Sequence, residues 1–378
     1  MAVSETHRIQ TKDLDTPPRL LLGPGPSNAH PRVLRALSNR QVGHLDPTFI
    51  DLMNEVQELL RYAWQTDNKV AIPVSGTGSA AMEAAIANTV EPGDHVLVGC
   101  NGYFGERMVD MASRYGAQVH RMDKPWGESF DLAEIRTAME AARPAVLGLI
   151  HAETSTGARQ PLEGVAELCA EFDCLLIVDT VTSLGGVPLF IDEWGIDVAY
   201  SGTQKCLSCP PGIGPLTLGP RALDKLERRS TPVPNWYLDM PLVGKYWGSQ
   251  RTYHHTAPIN MNYGFREALR LVAEEGLEQR WDRHAANAQL FWDGLENMGL
   301  SCHVDASIRL PSLTTVRVPE GVDAGAVARH LLNTYNIEIA GGLGQLAGKV
   351  WRIGLMGFNS RPENVRLLLS ALQETIQK

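Results

Sequence analysis

The chain has 378 residues, of which 44% are hydrophobic and 20% are charged, as is usual for a globular protein with a sizeable core. Its formal net charge is −9, which excludes an electrostatic basis for binding nucleic acid. No apolar run is long enough to span a membrane, and residues 1–15 lack the apolar core of a signal peptide, so we expect a cytoplasmic protein. A chain of this length predicts one large domain and a smaller one.

Six cysteines are spread through the chain, and they predict neither a disulfide framework nor a metal site. They are Cys100, Cys169, Cys174, Cys206, Cys209 and Cys302. Cys206 and Cys209 have the Cys-x-x-Cys spacing of zinc and redox sites, but no second pair of ligands follows at the distance that zinc needs. We expect these two thiols to be packing residues.

The first elements along the chain are an arm, a loop and two helices. Residues 1–22 are polar as far as two adjacent prolines and then apolar, and they predict an extended N-terminal arm. The sequence Gly23-Pro-Gly-Pro-Ser-Asn28 predicts a rigid loop, because proline and glycine interrupt regular structure. Apolar residues then recur at helical spacing over 33–37 and over 49–60, which predicts two helices.

A strand predicted over 69–74 runs into Ser75-Gly-Thr-Gly-Ser79 and then into a helix over 80–88. Such a junction directs free backbone N–H groups and the positive end of the helix dipole at one point, which suits phosphate. The Gly-Lys-Ser/Thr sequence of a P-loop is absent. Residues 76–81 do fit the dinucleotide fingerprint, but the next strand, over 95–99, does not end in the acid that would bind a ribose. The pattern therefore favours a single phosphate group.

Strands and helices alternate through the middle of the chain. Strands are predicted over 95–99, 118–122, 145–150 and 174–178, with helices near 104–115, 132–142 and 162–172. Near-continuous apolar strands separated by helices predict an α/β fold with a mostly parallel central sheet and helices on both faces. Ligands of such sheets bind beyond the carboxyl ends of the strands. The candidate site residues that follow strand ends are those at 101–104, Thr154, Asp179 and Lys205.

The C-terminal part of the chain has a different pattern, with a long helix predicted from Asn262 towards Leu295. It is followed by predicted strands over 313–318, 337–340 and 350–355 and by helices near 324–335 and 362–376. These elements predict a smaller α+β domain. We place the large domain at 23–283 and the small domain at 284–378.

A single lysine stands among small and hydroxyl residues in Ser201-Gly-Thr-Gln-Lys205. Lysine is usually a solvated surface charge, but a lysine with a lowered pKa can condense with an aldehyde. Asp179 ends an apolar strand, where it is either a local cap or the partner of a cation. Pyridoxal phosphate needs a phosphate cradle, an acid that keeps its ring nitrogen protonated and a lysine that binds its aldehyde. The sequence offers all three.

Seven segments, in order along nearly the whole chain, resemble the class V pyridoxal-phosphate aminotransferases of fold type I. The likeness is strongest to the alanine–glyoxylate and serine–pyruvate aminotransferases. The segments are specific together, although none is specific alone. They are Leu22-Gly-Pro-Gly-Pro-Ser-Asn28, Ser75-Gly-Thr-Gly78, Ser155-Thr-Gly157, Val178-Asp-Thr180, Ser201-Gly-Thr-Gln-Lys205, Tyr253-His-His-Thr256 and Arg352-Ile-Gly-Leu355.

The resemblance implies how the ring of the cofactor is held. Lys205 would carry it as an aldimine, and Asp179 would pair with the pyridine nitrogen. Thr154 would form a hydrogen bond on the side of the ring hydroxyl. Phe104 stands where many relatives have a tryptophan stacked on the ring, and phenylalanine offers the same contact with less area.

The resemblance also implies how the phosphate and the substrate are bound. The residues expected at the phosphate are Thr77, Gly78, Ser79 and Gln204. Tyr253 and Thr256 would reach it from the partner subunit of a homodimer with shared active sites. Arg352 lies in an apolar strand, where it needs an anion, and its fork suits the substrate carboxylate or, alternatively, a structural acid. Gly25 would also lie at the substrate.

These roles predict ping-pong transfer of an amino group from a small amino acid to a 2-oxo acid. Alanine with glyoxylate is the preferred pair, since no second arginine is evident for a distal carboxylate. Serine with glyoxylate or pyruvate, and a kynurenine-type donor, remain alternatives. A desulfurase-like lyase would need a mobile cysteine in the C-terminal part, where only Cys302 occurs. A cofactor-binding scaffold without activity would be expected to lack Lys205, Asp179 or Arg352, and all three are present.

Overall fold

The computed structural model describes residues 4–9 and 11–376. Residues 1–3 and 10 of the predicted arm, and residues 377–378 of the predicted small domain, lie outside the described residues. Within the described part, none of the helices combines the length and the apolar character that crossing a membrane requires.

Helices and strands alternate along most of the chain. The helices are α1 (Pro31–Leu37), α2 (Pro47–Trp64), α3 (Gly78–Thr89), α4 (Tyr103–Arg114), α5 (Leu132–Ala142), α6 (Val165–Glu171), α7 (Pro220–Glu227), α8 (Met240–Trp247), α9 (Ile259–Glu275), α10 (Leu277–Asn297), α11 (Ala324–Tyr335) and α12 (Pro362–Ile376). The strands are β1 (Leu20–Leu21), β2 (Val70–Ser75), β3 (His95–Cys100), β4 (Gln118–Asp123), β5 (Val146–Ile150), β6 (Ala152–Glu153), β7 (Ala158–Arg159), β8 (Leu175–Asp179), β9 (Val198–Tyr200), β10 (Ile213–Leu218), β11 (Leu313–Arg317), β12 (Ile337–Glu338), β13 (Ala340–Gly341) and β14 (Val350–Gly354).

Local sequence explains where several helices begin. The Asp46 side chain accepts a 2.8 Å hydrogen bond from the Thr48 N–H, and Pro47 occupies the first turn of α2, where it loses no helical hydrogen bond. At the start of α5, Asp131 and Glu134 form a reciprocal capping box. These caps satisfy N–H groups that have no partner inside the helix.

A seven-stranded sheet in the order β2-β10-β9-β8-β5-β3-β4 forms the centre of the fold. Only β10 runs antiparallel to its neighbours, so the predicted mostly parallel sheet is confirmed. Alternate residues of β8 enter two separate apolar clusters, Leu176 and Val178 in one and Leu175 and Ile177 in the other. Both faces of the sheet are therefore covered, as predicted.

Several features differ from the expectations. The single strand predicted over 337–340 is wrong, because β12 and β13 are separate and belong to different sheets. The single helix predicted from Asn262 towards Leu295 is wrong, because α9 ends before Gly276 and α10 begins after it. Gly276 has a φ of 84°, a left-handed conformation that glycine adopts without a Cβ penalty. Strand β10 was not predicted, and its Pro215 is unusual inside a sheet. Pro215 lies in register with Pro73 of β2, so two residues without an N–H face each other.

A second, three-stranded sheet in the order β11-β14-β13 lies in the C-terminal part of the chain. Helices α10, α11 and α12 pack around it on a separate apolar cluster that includes Phe291, Leu331 and Leu368. The end of the N-terminal arm joins this part, since β1 pairs with β12 in parallel. The division at 283 and 284 stays a prediction.

Candidate active site

The site lies at the edge of the central sheet where the parallel strands end. Strands β2, β3, β5, β8 and β9 run in the same direction, because β10 is antiparallel to both β2 and β9. The loops that follow these strands carry most of the predicted residues, as expected for ligand sites of such sheets. Arg352 comes from β14 of the second sheet.

Lys205 lies in the loop after β9 and is only 8% exposed. Its ammonium group donates a hydrogen bond to the carbonyl oxygen of Pro24. The pKa of Lys205 is lowered to about 8, mainly by burial and in part by the positive charge of Arg352. Cys206, Asp179 and Glu153 oppose this shift in part. The amine is therefore available in its neutral form much nearer to neutral pH than that of an exposed lysine.

Gly25 approaches Lys205 so closely that a side chain at position 25 would displace the Lys205 side chain. A Cβ atom added to Gly25 would lie 2.8 Å from the Lys205 Nζ atom, and the glycine has a φ of 108°. The sequence resemblance placed Gly25 at the substrate, and the geometry places it against the reactive amine. Its lack of a side chain is needed for the position of Lys205.

Asp179 ends β8 and is 2% exposed. One carboxylate oxygen accepts a 2.8 Å hydrogen bond from the Val181 N–H, and the other accepts a 2.9 Å bond from the Tyr200 hydroxyl. Burial raises the pKa of Asp179 to about 7 in spite of these bonds. Within the described residues no cation forms an ion pair with it, so the site holds a buried carboxyl that a cationic ligand would stabilise.

The start of α3 has the backbone geometry that the predicted phosphate cradle requires. Thr77 is the N-cap residue and its side chain makes no capping bond, which leaves the first-turn N–H groups to a ligand. Gly78 packs on the loop after β9, since an added Cβ would lie 3.4 Å from the Gly202 Cα atom. Ser79 accepts a 3.0 Å hydrogen bond from Arg107. The cradle thus has a cationic neighbour that the sequence did not indicate.

The side-chain oxygen of Gln204, in the loop that carries Lys205, lacks a hydrogen-bond partner. This Oε1 atom is buried. Amide oxygen and nitrogen atoms are assigned from their hydrogen bonds, and the reversed amide would present N–H groups to an anion. The group therefore suits the phosphate role that was predicted for it.

Phe104 is held by a buried acid that the sequence analysis missed. Glu153 is fully buried and accepts hydrogen bonds of 3.1 Å from the Phe104 N–H and of 2.5 Å from the Ser155 hydroxyl. Burial raises the pKa of Glu153. A Cβ on Gly102 would lie 2.2 Å from the Glu153 Cγ atom, so the start of α4 closes over this carboxyl group. The rule that found Asp179, an acid after a buried strand, also applies to Glu153.

The other ring contacts are close to this acid. Thr154 and Thr182 form a 2.5 Å hydrogen bond between their hydroxyl groups in the loops after β5 and β8. The Arg107 guanidinium lies 4.8 Å from the centre of the Phe104 ring. Arg107 therefore contacts both Phe104, at the ring end of the site, and Ser79, at the phosphate end.

Arg352 is 7% exposed and donates a 2.8 Å hydrogen bond from Nε to the Gly341 carbonyl oxygen. Burial lowers its pKa. Among the described residues no acid forms an ion pair with Arg352, so its remaining N–H groups suit an external carboxylate. Its positive charge contributes to the lowered pKa of Lys205, as expected for two cations in the same region of the fold.

Tyr253 and Thr256 are not brought to Lys205 in this chain. Both are exposed, Tyr253 to 58%, and they flank two histidines after α8. One of these, His255, forms a 2.7 Å hydrogen bond with the Ser75 hydroxyl at the end of β2. The contact of Tyr253 and Thr256 with a partner subunit stays a prediction.

The chain fits pyridoxal phosphate on its own chemistry. The cofactor is flat, carries a phosphate and an aldehyde, and has a ring nitrogen that is cationic when protonated. The cradle at 77–79 suits the phosphate, Lys205 suits the aldehyde, and the uncompensated Asp179 suits the ring nitrogen.

Comparisons with known proteins agree with this assignment. The model of the aminotransferase class-V family matches residues 21–367. The alanine–glyoxylate aminotransferase of the mouse is 44% identical, over 97% of this chain and 90% of that protein. The (S)-ureidoglycine–glyoxylate transaminase of Bacillus subtilis is 41% identical, over 97% and 92%. A crystal structure of an alanine–glyoxylate aminotransferase from Nostoc is 64% identical, with a TM-score of 0.98 and complete coverage of both chains.

Proposed function

Because the chain belongs to the class V aminotransferases, which depend on pyridoxal phosphate, we propose that it transfers the amino group of alanine to glyoxylate. The observation that carries the choice of a small substrate is that the described part of the site offers one guanidinium, that of Arg352, to a substrate carboxylate. Arg352 has free N–H groups for one carboxylate, whereas Arg107 lies at the cradle and the Phe104 ring. The names of the mouse and Nostoc relatives support the same pair.

Each residue has a definite task in this reaction. When bound, the cofactor supplies an electron sink for the charge that develops as the α proton leaves. The Lys205 Nζ atom holds the cofactor until the donor amine replaces it, and it then accepts the α proton and returns it. Asp179 keeps a proton on the ring nitrogen, and the Arg352 fork fixes the substrate carboxylate. A second 2-oxo acid runs these steps in reverse, which gives ping-pong kinetics.

The remaining contacts hold the cofactor in place. Phe104 covers the ring, and Thr154 binds on the side of its hydroxyl group. The phosphate is bound by Thr77, Gly78, Ser79 and Gln204. In a homodimer, Tyr253 and Thr256 reach the phosphate of the partner subunit, and their exposure in the single chain supports this arrangement. Six free thiols suit a reducing compartment such as the cytoplasm.

A desulfurase activity receives no support from the thiols. Cys302 is partly buried, lies in a β-bridge with Val316, and burial raises the pKa of its thiol. A raised pKa keeps a thiol protonated and unreactive. The mobile, reactive cysteine that such a lyase needs is therefore not offered by this residue.

The donor is tested by assaying the purified holoenzyme with glyoxylate against alanine, serine, kynurenine and (S)-ureidoglycine. We expect the highest kcat/KM with alanine and serine second. Negligible turnover with alanine beside efficient turnover with another donor would overturn the choice of substrate, although it would leave the aminotransferase assignment intact.

A further inference from the structure

A carboxylate lies between two arginines where α9 and α10 meet. Glu275 is the last residue of α9, and Arg280 and Arg283 lie in the first two turns of α10. The Glu275 carboxylate is 2.5 Å from Arg280 Nη1 and 2.5 Å from Arg283 Nε. The three side chains form one ion-pair cluster, which we call the hinge triad. It sits beside Gly276, where the chain changes direction.

Arg280 connects the hinge triad to the loops of the large sheet. It is 5% exposed, and it donates hydrogen bonds of 2.9 Å to the Gly185 carbonyl and of 2.5 Å to the Cys206 carbonyl. Cys206 directly follows Lys205, and Gly185 lies in the loop after Asp179. A buried guanidinium needs an anion, and Glu275 supplies it.

Arg283 connects the same carboxylate to the second sheet. It donates hydrogen bonds of 2.9 Å to the Gly357 carbonyl and of 2.6 Å to the Ser360 carbonyl. These residues lie shortly after β14, the strand that carries Arg352. The neighbouring His284 reinforces the contact, because its Nε2 atom accepts a 2.9 Å hydrogen bond from the Gly357 N–H.

We propose that Glu275 is a positioning residue that fixes the amine of Lys205 relative to the guanidinium of Arg352 through Arg280 and Arg283. A donor must present its amino group to one and its carboxylate to the other at the same time. The two groups come from different sheets, so their separation depends on contacts between those sheets. The Glu275 carboxylate pairs with both arginines, Arg280 on the side of the large sheet and Arg283 on the side of the second sheet. This inference rests on the proposed roles of Lys205 and Arg352.

A cavity of about 390 Å³ opens at the hinge triad. Glu275, Arg280 and Arg283 line it, together with His30 and Arg361. A shortened side chain at position 275 would therefore leave a space that a small carboxylate can enter. Formate offers the same two oxygen atoms to the two arginines, so it can replace the missing group.

Substitutions of Arg280 and of Arg283 should have different effects on KM, kcat and the pH dependence of absorption. Arg283→Met should raise KM for both amino acid and 2-oxo acid by about tenfold, since a misplacement of about 1 Å can cost up to a hundredfold. The pH midpoint of the visible absorption of the holoenzyme should move less than in Arg280→Met, because Arg283 bonds to the segment after β14 and not to the loop of Lys205. Arg280→Met should shift that midpoint and lower kcat, because it acts on the loop of Lys205. Glu275→Gln should produce both effects.

Glu274→Gln is the matched control. Glu274 precedes Glu275 on the same helix and lines the same cavity, but its carboxylate pairs with Arg32 and Arg270 and not with the triad. It should change neither KM, kcat nor the absorption midpoint. In Glu275→Ala, added formate should move the absorption midpoint back towards that of the unsubstituted protein, whereas Glu274→Ala should not respond.

The proposal is overturned if Arg280→Met, Arg283→Met and Glu275→Gln change only the melting temperature. It is also overturned if the variants lack the separate effects on KM and on the absorption midpoint. Arg283 is partly exposed, so its variant tests the proposal even if Arg280→Met does not fold. Failure of the proposed function would appear differently, as the absence of lysine-bound cofactor or of transamination in the unsubstituted protein.

Discussion

The lysine end and the phosphate end of the site are built differently. Lys205 and Asp179 are almost fully buried, and each is held by hydrogen bonds from its own chain. At the phosphate end the Gln204 oxygen has no partner, and Tyr253 and Thr256 are exposed. Both ends face the same expected cofactor.

The difference teaches which part of the site is ready before the ligand binds. Burial has already lowered the pKa of Lys205 and raised that of Asp179, so the groups that do chemistry are tuned by the fold. The phosphate end is completed by the ligand and, in our proposal, by a second subunit. Changes at the lysine end should therefore affect turnover, and changes at the phosphate end should affect cofactor affinity.

Lys205→Ala is expected to have the largest effect. It removes both the attachment point and the base, so kcat should fall by roughly 10⁴-fold or more, as for other catalytic nucleophiles. Excess cofactor should not restore activity. The measurement is steady-state turnover at saturating cofactor, with Lys225→Ala as a control, since Lys225 pairs with Asp94 instead of lining the site. Activity of Lys205→Ala near that of the control would contradict the assignment.

Asp179→Asn should come next. An amide cannot form an ion pair with the protonated ring nitrogen. Breaking a buried charge pair costs about 3–5 kcal/mol, or roughly 200- to 5,000-fold. We expect the loss mainly in kcat, because the phosphate contacts remain. Single-turnover kinetics with alanine measures it. If the variant lost only cofactor affinity and kept its kcat, Asp179 would behave like a residue of the phosphate end, which would contradict this assignment.

The same carboxyl group predicts a pH dependence of stability. Burial raises its folded-state pKa from 3.8 to about 7, so its contribution is fully present below about pH 4 and is lost as the pH rises through about 7. The quantity to compare is the melting temperature of Asp179→Asn minus that of the unsubstituted protein, both without cofactor. This difference should be more positive at about pH 8 than at about pH 5, because the carboxyl group of the unsubstituted protein has lost its contribution at the higher pH. An equal difference at both pH values would contradict the raised pKa.

Gln204→Ala should have the smallest effect of this series. A hydrogen bond to a charged group contributes about 1.5–3 kcal/mol, so the cofactor Kd should rise by roughly 10- to 100-fold. Turnover should recover at saturating cofactor, unlike that of Lys205→Ala. Equilibrium titration with pyridoxal phosphate checks the affinity. A loss of kcat that excess cofactor does not restore would remove the distinction between the two ends.

The sequence predicts the elements whose signals are local. Strand β8 is an unbroken apolar run that ends at Asp179, and the glycine-rich turn at 76–78 marks the start of α3. Because parallel strands end at one edge, the position of these residues in sequence indicates that they converge in space. The class of fold and the lysine end of the site follow from this pattern.

The residues that sequence analysis missed depend on distant contacts. His255 bonds to Ser75 although 180 positions separate them, and no spacing in the sequence indicates the pair. Arg107 reaches Ser79 only because α4 packs beside α3. Gly276 resembled any glycine in an apolar pattern, and its left-handed φ became evident only from the backbone.

The most direct test of the account is to identify the lysine that binds the cofactor. The holoenzyme is reduced with borohydride, digested and analysed by mass spectrometry, with Lys205→Ala as the control. We predict that the reduced cofactor is found on the peptide that contains Lys205 and is missing from the variant. Attachment to a different lysine, or no covalent attachment in the unsubstituted protein, would contradict the central claim.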